Sequence, residues 1–238
     1  MNSIENKTIA EIVTENINTA HVFKKHGIDF CCGGGISIEK ACAKNNIDYS
    51  QLEKELEAVD AKVGSAYNYD TWDLSFLIDH IVNIHHTYVE EGITLLLQYA
   101  AKVANVHGTN FKEVIEINNL FIEVANELTT HMKKEELVLF PYIKQLVKAS
   151  KENTTPALPH FGTVNNPIKM MENEHENAGD IFKTIAKLSN NYTSPEDACN
   201  TFKALYAKLD EFEQDLHQHI HLENNILFPK AIQLEAQL

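Results

Sequence analysis

The stretch His131-Met132-Lys133-Lys134-Glu135-Glu136-Leu137-Val138-Leu139-Phe140-Pro141 returns near the other end of the chain as His219-Ile220-His221-Leu222-Glu223-Asn224-Asn225-Ile226-Leu227-Phe228-Pro229. Both copies read His, three residues, Glu, three residues, Leu-Phe-Pro. Residues four apart share one face of a helix, so each copy aims an imidazole and a carboxylate the same way. Both groups are ligands for a borderline transition metal. Two copies imply two half-sites that meet.

The repeat extends upstream. His86 precedes His131 by 45 residues and His175 precedes His219 by 44, while His86 to His175 spans 89 and His131 to His219 spans 88. The unit is therefore a helix with one His, then a helix with His-x-x-x-Glu, repeated once. This register selects among neighbours. His217 and His221 lie roughly 200° around the helix from His219 and face elsewhere. The spacing prefers His86 over the adjacent His85. His80, His107 and His160 have no counterpart and are expected to be solvated or capping. The candidate metal ligands are His86, His131, Glu135, His175, His219 and Glu223. Ferritin-like bundles use Glu-x-x-His with extra carboxylates; here four imidazoles outnumber two carboxylates, which points to a hemerythrin-like site.

Around these motifs the chain reads as all-α. Apolar periodicity predicts helices from about Trp72 to His107, Thr109 to Ala149, Asn166 to Asn191 and Ser194 to Ala236. Asn166 is the expected N-cap of the third, with Pro167 at its first position, and Ser194-Pro195-Glu196-Asp197 is the expected start of the fourth. Pro141 should kink or loosen the second. Four long helices make an antiparallel bundle with its metal site in the core. Ahead of it, a short helix from about Thr8 to Lys25 runs into Ile28-Asp29-Phe30-Cys31-Cys32-Gly33-Gly34-Gly35, a turn no helix tolerates. A second helix then runs from Ser37 to about Val63, and Gly64-Ser65 reads as a linker. The expected division is a small helical domain at 1–64 and the bundle at 70–238.

Composition narrows the function. The 238 residues carry a net charge of −14 without a long basic run, which argues against nucleic-acid binding. No apolar run reaches the ~20 residues of a membrane span, and the N-terminus lacks a signal-peptide core. Four cysteines, Cys31, Cys32, Cys42 and Cys199, are too few for a disulfide framework and suit a reducing, cytoplasmic setting. The pair Cys31-Cys32 lacks the spacing of zinc or thioredoxin sites. It reads either as a thiol pair whose thiolates the loop amides stabilise or as a turn whose cysteines are merely small.

These features together resemble the repair-of-iron-centres family, iron-sulfur cluster repair di-iron proteins with a hemerythrin-like domain and an N-terminal cysteine module. Asp29-Phe30-Cys31-Cys32-Gly33-Gly34 is similar to the family's N-terminal signature. His131-x-x-x-Glu135, Glu174-His175-Glu176 and Leu222-Glu223-Asn224-Asn225-Ile226-Leu227-Phe228-Pro229 are similar to its metal motifs. Two departures are His85, where a non-ligand residue is expected, and the long connection containing His160.

The resemblance implies two iron ions bridged by both glutamates and by an oxo or hydroxo group, leaving about one open position on each octahedral metal. It implies repair of clusters damaged by nitric oxide or reactive oxygen, with the centre as iron source or redox centre and damaged iron-sulfur proteins or cluster scaffolds as partners. Such a chain is an iron donor more than a turnover enzyme. Cys31 and Cys32 are candidates for a working thiol role, and Glu127 and Glu174 for partners of the ligands. The competing readings are a hemerythrin-like carrier or sensor of oxygen or nitric oxide, a di-iron nitric oxide or peroxide reductase, and a structural zinc or manganese site. A homodimer is compatible with all of them.

Overall fold

A computed structural model describes residues 4–60 and 67–238; the expected Gly64-Ser65 linker lies outside them. The described residues hold eight helices and no strand, only an isolated bridge between Thr8 and Ser37. Helices α1 (Ile9–Glu15), α2 (Ala20–Lys25), α3 (Ile38–Asn45) and α4 (Tyr49–Asp60) form the N-terminal part. Long helices α5 (74–107), α6 (113–152), α7 (Asn165–Leu188) and α8 (200–235) form the bundle, in which α5 packs on α6 and α8, and α7 packs on α6 and α8.

Three of the four long helices change pitch at the repeat motifs. Ile81–His86 in α5, Glu135–Leu139 in α6 and Glu223–Leu227 in α8 are π turns. The Phe140 and Phe228 N–H groups reach back five residues to the carbonyls of Glu135 and Glu223. The wide turns sit immediately before Pro141 and Pro229, which cannot donate to an α-helical ladder, so the helices run on through both prolines. Wide turns of this kind concentrate at functional sites.

Two helix starts differ from expectation. Helix α7 begins at Asn165, and its Val164 N–H is capped by the Glu235 carboxylate of α8 at 2.9 and 3.1 Å. Asn166 instead donates its side-chain amide to the Phe161 carbonyl, while Pro167 stays in the first turn, where no N–H is needed. Helix α8 begins at Asn200 with Cys199 at the cap. Asn190, Asn191 and Tyr192 adopt left-handed backbone, and the Ala198 N–H closes a turn onto Pro195, so Ser194 to Asp197 never enters the helix.

The core consists of two apolar clusters. One gathers Leu77, Ile78, Ile143, Leu146, Ile168, Met171, Leu227 and Phe228 at one end of the bundle. The other gathers Val89, Leu96, Phe121, Val124, Phe182, Phe202 and Phe212, and continues without a break into Ile9, Phe23, Phe30, Ile38 and Leu52 of the N-terminal helices. In each long helix the candidate metal ligands lie at the step from one cluster to the other, which makes a single polar layer across the bundle.

The glycine loop docks on α8. Gly34 is required there, since a Cβ would stand 2.4 Å from the Phe30 carbonyl oxygen. The Asn225 side chain donates to the Cys31 carbonyl at 3.1 Å, and Phe30 rests against the rings of His217 and His221.

Candidate metal centre

The polar layer brings together all six residues that the repeat selects. His86, His131, Glu135, His175, His219 and Glu223 are each at most 2% exposed. They form two quartets, His86-Glu135-His219-Glu223 and His131-Glu135-His175-Glu223, with every ligand atom of a quartet within 4.8 Å of the others. Glu135 and Glu223 belong to both. Each histidine pair joins the two halves of the repeat: α5 with α8, and α6 with α7.

Spacing brings the carboxylates to the rings. His131 Nε2 lies 3.3 Å from Glu135 Oε2, and His219 Nε2 lies 3.1 Å from Glu223 Oε1, each pair one helical turn apart. Across helices, His86 Nε2 lies 3.5 Å from Glu135 Oε2 and His175 Nε2 3.2 Å from Glu223 Oε2. These are ion-pair distances, but most lack hydrogen-bond angles: His86 Nε2, both Glu135 oxygens and Glu223 Oε2 have no hydrogen-bonding partner. Burying unpaired polar atoms is costly, and four of them converge here. Four imidazole nitrogens and two carboxylates fit a borderline transition metal such as iron.

Burial works against charge in this layer, and the neighbours overcome it. Although burial pulls His131 down, Glu135 and Glu174 push its pKa up to about 10. Burial likewise opposes ionisation of Glu223, yet His219 and His175 hold its pKa well below the usual carboxylate range.

Outer partners fix three of the four rings. His86 Nδ1 donates to Glu136 at 2.6 Å, His131 Nδ1 to Glu174 at 2.8 Å, and His175 Nδ1 to the Asn224 amide oxygen at 2.8 Å. Glu136 and Asn224 each directly follow the glutamate of their own motif copy, so the repeat carries these contacts too. That register was the signal by which Glu136 and Asn224 could have been found in the sequence. Glu174, which also pairs with Lys134, takes the partner role expected of it. Glu127 does not, and accepts from Asn177 instead.

The remaining histidines separate. His221 is fully buried but turned away from the centre, against Asn225 (3.0 Å), Thr14 (3.4 Å) and Phe30. His80 is not merely solvated, because it packs among Tyr69 and Trp72. His107 lies 3.2 Å from the Cys199 sulfur, and His160 is exposed beside Phe161. His85 is buried yet belongs to neither quartet. The thiols of Cys31 and Cys32 are 3.9 Å apart, with Cys31 buried and Cys32 exposed. Asp29 accepts from both backbone N–H groups and from the Cys31 thiol. Cys32 Sγ lies 3.9 Å from the amide nitrogen of Asn224, the residue that orients His175. Among the described residues no helix is long and apolar enough to cross a membrane.

Residues 5–60 match the family described as Domain of Unknown function (DUF542), and residues 77–231 match the Hemerythrin HHE cation binding domain. The chain is 34% identical to the probable iron-sulfur cluster repair protein of Haemophilus influenzae, over 97% of this chain and 98% of that protein. It is also 34% identical to the iron-sulfur cluster repair protein YtfE of Musicola paradisiaca and of Yersinia pseudotuberculosis, with the same coverage.

Proposed function

The chain belongs to the iron-sulfur cluster repair family with a hemerythrin HHE domain, and from that premise we propose that it restores iron-sulfur clusters damaged by oxidative or nitrosative stress. The observation that carries this reading is the sharing of Glu135 and Glu223 by both quartets. A carboxylate common to two ligand sets spans two cations. On this reading two iron ions, with an oxo or hydroxo group between them, would be held by Glu135 and Glu223 in common, one also by His86 and His219 and the other by His131 and His175. Such a pair supplies Lewis acidity, redox equivalents and open positions for a small ligand such as nitric oxide.

The protein's own groups do the rest. Glu136, Glu174 and Asn224 hold the imidazoles in one tautomer and orientation. The two apolar clusters keep bulk water from the layer. Iron is cargo as well as cofactor in this reading, passing to a damaged cluster protein or scaffold in the cytoplasm, so the chain is a donor more than a turnover enzyme. Residues 70–238 hold the iron and residues 1–64 face the client. Cys32 would be the first soft ligand met by iron in transit, and the buried Cys31 would join it only on losing its proton to the metal. Cys32 is exposed on the side of the centre where Asn224 orients His175.

The test is reactivation of a nitric-oxide-damaged iron-sulfur enzyme by the iron-loaded chain. Recovery with the wild type and none with Glu135→Ala plus Glu223→Ala is expected. Equal recovery with that double variant would refute the proposal.

A further inference from the structure

Three of the four candidate histidines have an outer partner on Nδ1, and the fourth, His219, has none: its Nδ1 is buried without a hydrogen bond. The repeat says what should stand there. The step of 89 residues that carries His86 to His175 carries His85 to Glu174. Glu174 is the group that accepts from His131 Nδ1, so the corresponding partner of His219 is His85.

The structure puts His85 in that place. Its side chain is 3% exposed, its ring is nearly parallel to that of His219 (11°), and the centroids are 5.6 Å apart. The parallel rings are stacked and no hydrogen bond joins them in the metal-free protein, so a rotation of one ring is what would bring His85 Nε2 onto His219 Nδ1. His85 Nε2 has no partner, while its Nδ1 lies 3.0 Å from Asp215 Oδ1. A carboxylate on Nδ1 fixes the tautomer in which Nδ1 carries the proton and Nε2 keeps its lone pair. Nε2 is then an acceptor, and the buried Nδ1–H of a metal-bound His219 is a donor without one.

We propose that His85, backed by Asp215, is the orienting partner of His219, filling on the α5–α8 side the role that Glu174 fills for His131. This rests on the two-metal reading above and adds to it. The two positions are unequally braced, one through a carboxylate paired with Lys134, the other through an imidazole and a carboxylate in series. It also gives a reason for a second histidine beside His86.

The test is anaerobic titration of the metal-free full-length chain with iron(II) against a competing chelator. Outer partners of metal-bound histidines are worth about 10–100-fold in metal affinity. His85→Leu, close in size and without an acceptor, should weaken one of two equivalents by at least ~10-fold and leave the other unchanged. His85→Glu, which copies the group found at Glu174, should restore it. Asp215→Asn, on the solvent side of His85, should weaken the same equivalent by less, and it serves if the leucine variant does not fold. Unchanged affinities in His85→Leu, equal weakening of both equivalents, or failure of His85→Glu to rescue would each overturn the assignment. A wild type that takes up fewer than two equivalents would overturn the two-metal reading and this inference with it.

Discussion

The Nε2 atoms of His131 and His175 lie 3.0 Å apart, although one ring comes from each half of the repeat. In the metal-free protein this contact needs one proton between the rings. The outer contacts say where it comes from: His175 donates through Nδ1 to Asn224, so its Nε2 is free to accept, and His131 is held protonated between Glu135 and Glu174. One shared proton thus occupies the place where the reading above sets a cation.

Metal uptake should therefore release a proton from His131. Its folded pKa of about 10 lies above the ordinary histidine value of 6.5. A raised value means that His131 stabilises the metal-free fold fully below pH 6.5, and that this support fades as pH rises through 10. Iron(II) affinity should climb over the same window, up to about tenfold per pH unit for the one proton. Titrations at pH 6.5, 7.5 and 8.5 would measure it. A flat profile would contradict the protonated state.

Sharing has a mutational signature. Glu135→Ala and Glu223→Ala should each abolish uptake of both equivalents, because each carboxylate serves both quartets. His86→Ala should spare one. His221→Ala should spare both but cost about 1–3 kcal/mol of stability, since it empties a fully buried site and removes the contacts to Asn225, Thr14 and Phe30 where the N-terminal loop docks. Metal counts and chemical denaturation of the four variants separate these effects.

Thiol reactivity should divide the four cysteines evenly. Cys32 and Cys199 are exposed, whereas Cys31 and Cys42 are buried. The hydrogen bond to Cys32, burial and the Asp29 carboxylate push the Cys31 thiol up, and burial beside Asp48 raises Cys42. Only thiolate is alkylated, so raised values mean slow reaction until the solution is strongly alkaline. Mass spectrometry after brief iodoacetamide treatment at pH 8 should show two labels per chain. Four equally fast labels would contradict the docked loop.

Replacing the vicinal pair separates a working role from a structural one. Cys31→Ser with Cys32→Ser should keep both irons and the same spectrum, yet lose most cluster-repair activity. Full repair by the folded double variant would leave the pair as a turn.

Much of this was legible in the sequence because it depends on periodicity. The 88- and 89-residue steps and the four-residue spacing of His and Glu by themselves select six residues. What stayed hidden depends on contacts between helices or on local departures from α geometry. Pro141 and Pro229 announce disturbed helices but not the π turns that absorb them. Asn190-Asn191 favours left-handed backbone, but nothing local says that Tyr192 follows it there and delays α8. The docking of Phe30 and Cys31 on His221 and Asn225 joins residues nearly 200 apart, and no local pattern records it. The sequence places His85 beside His86 without a role, because the contact of its repeat counterpart Glu174 with His131 is one between helices.

The central claim is that Glu135 and Glu223 bridge two irons in one buried layer. Its most direct test is the metal content of the pure chain from iron-replete cells, read with its near-ultraviolet absorption. The account predicts two irons per chain and an oxo-bridge band in the oxidised form. One zinc per chain with no iron would contradict it.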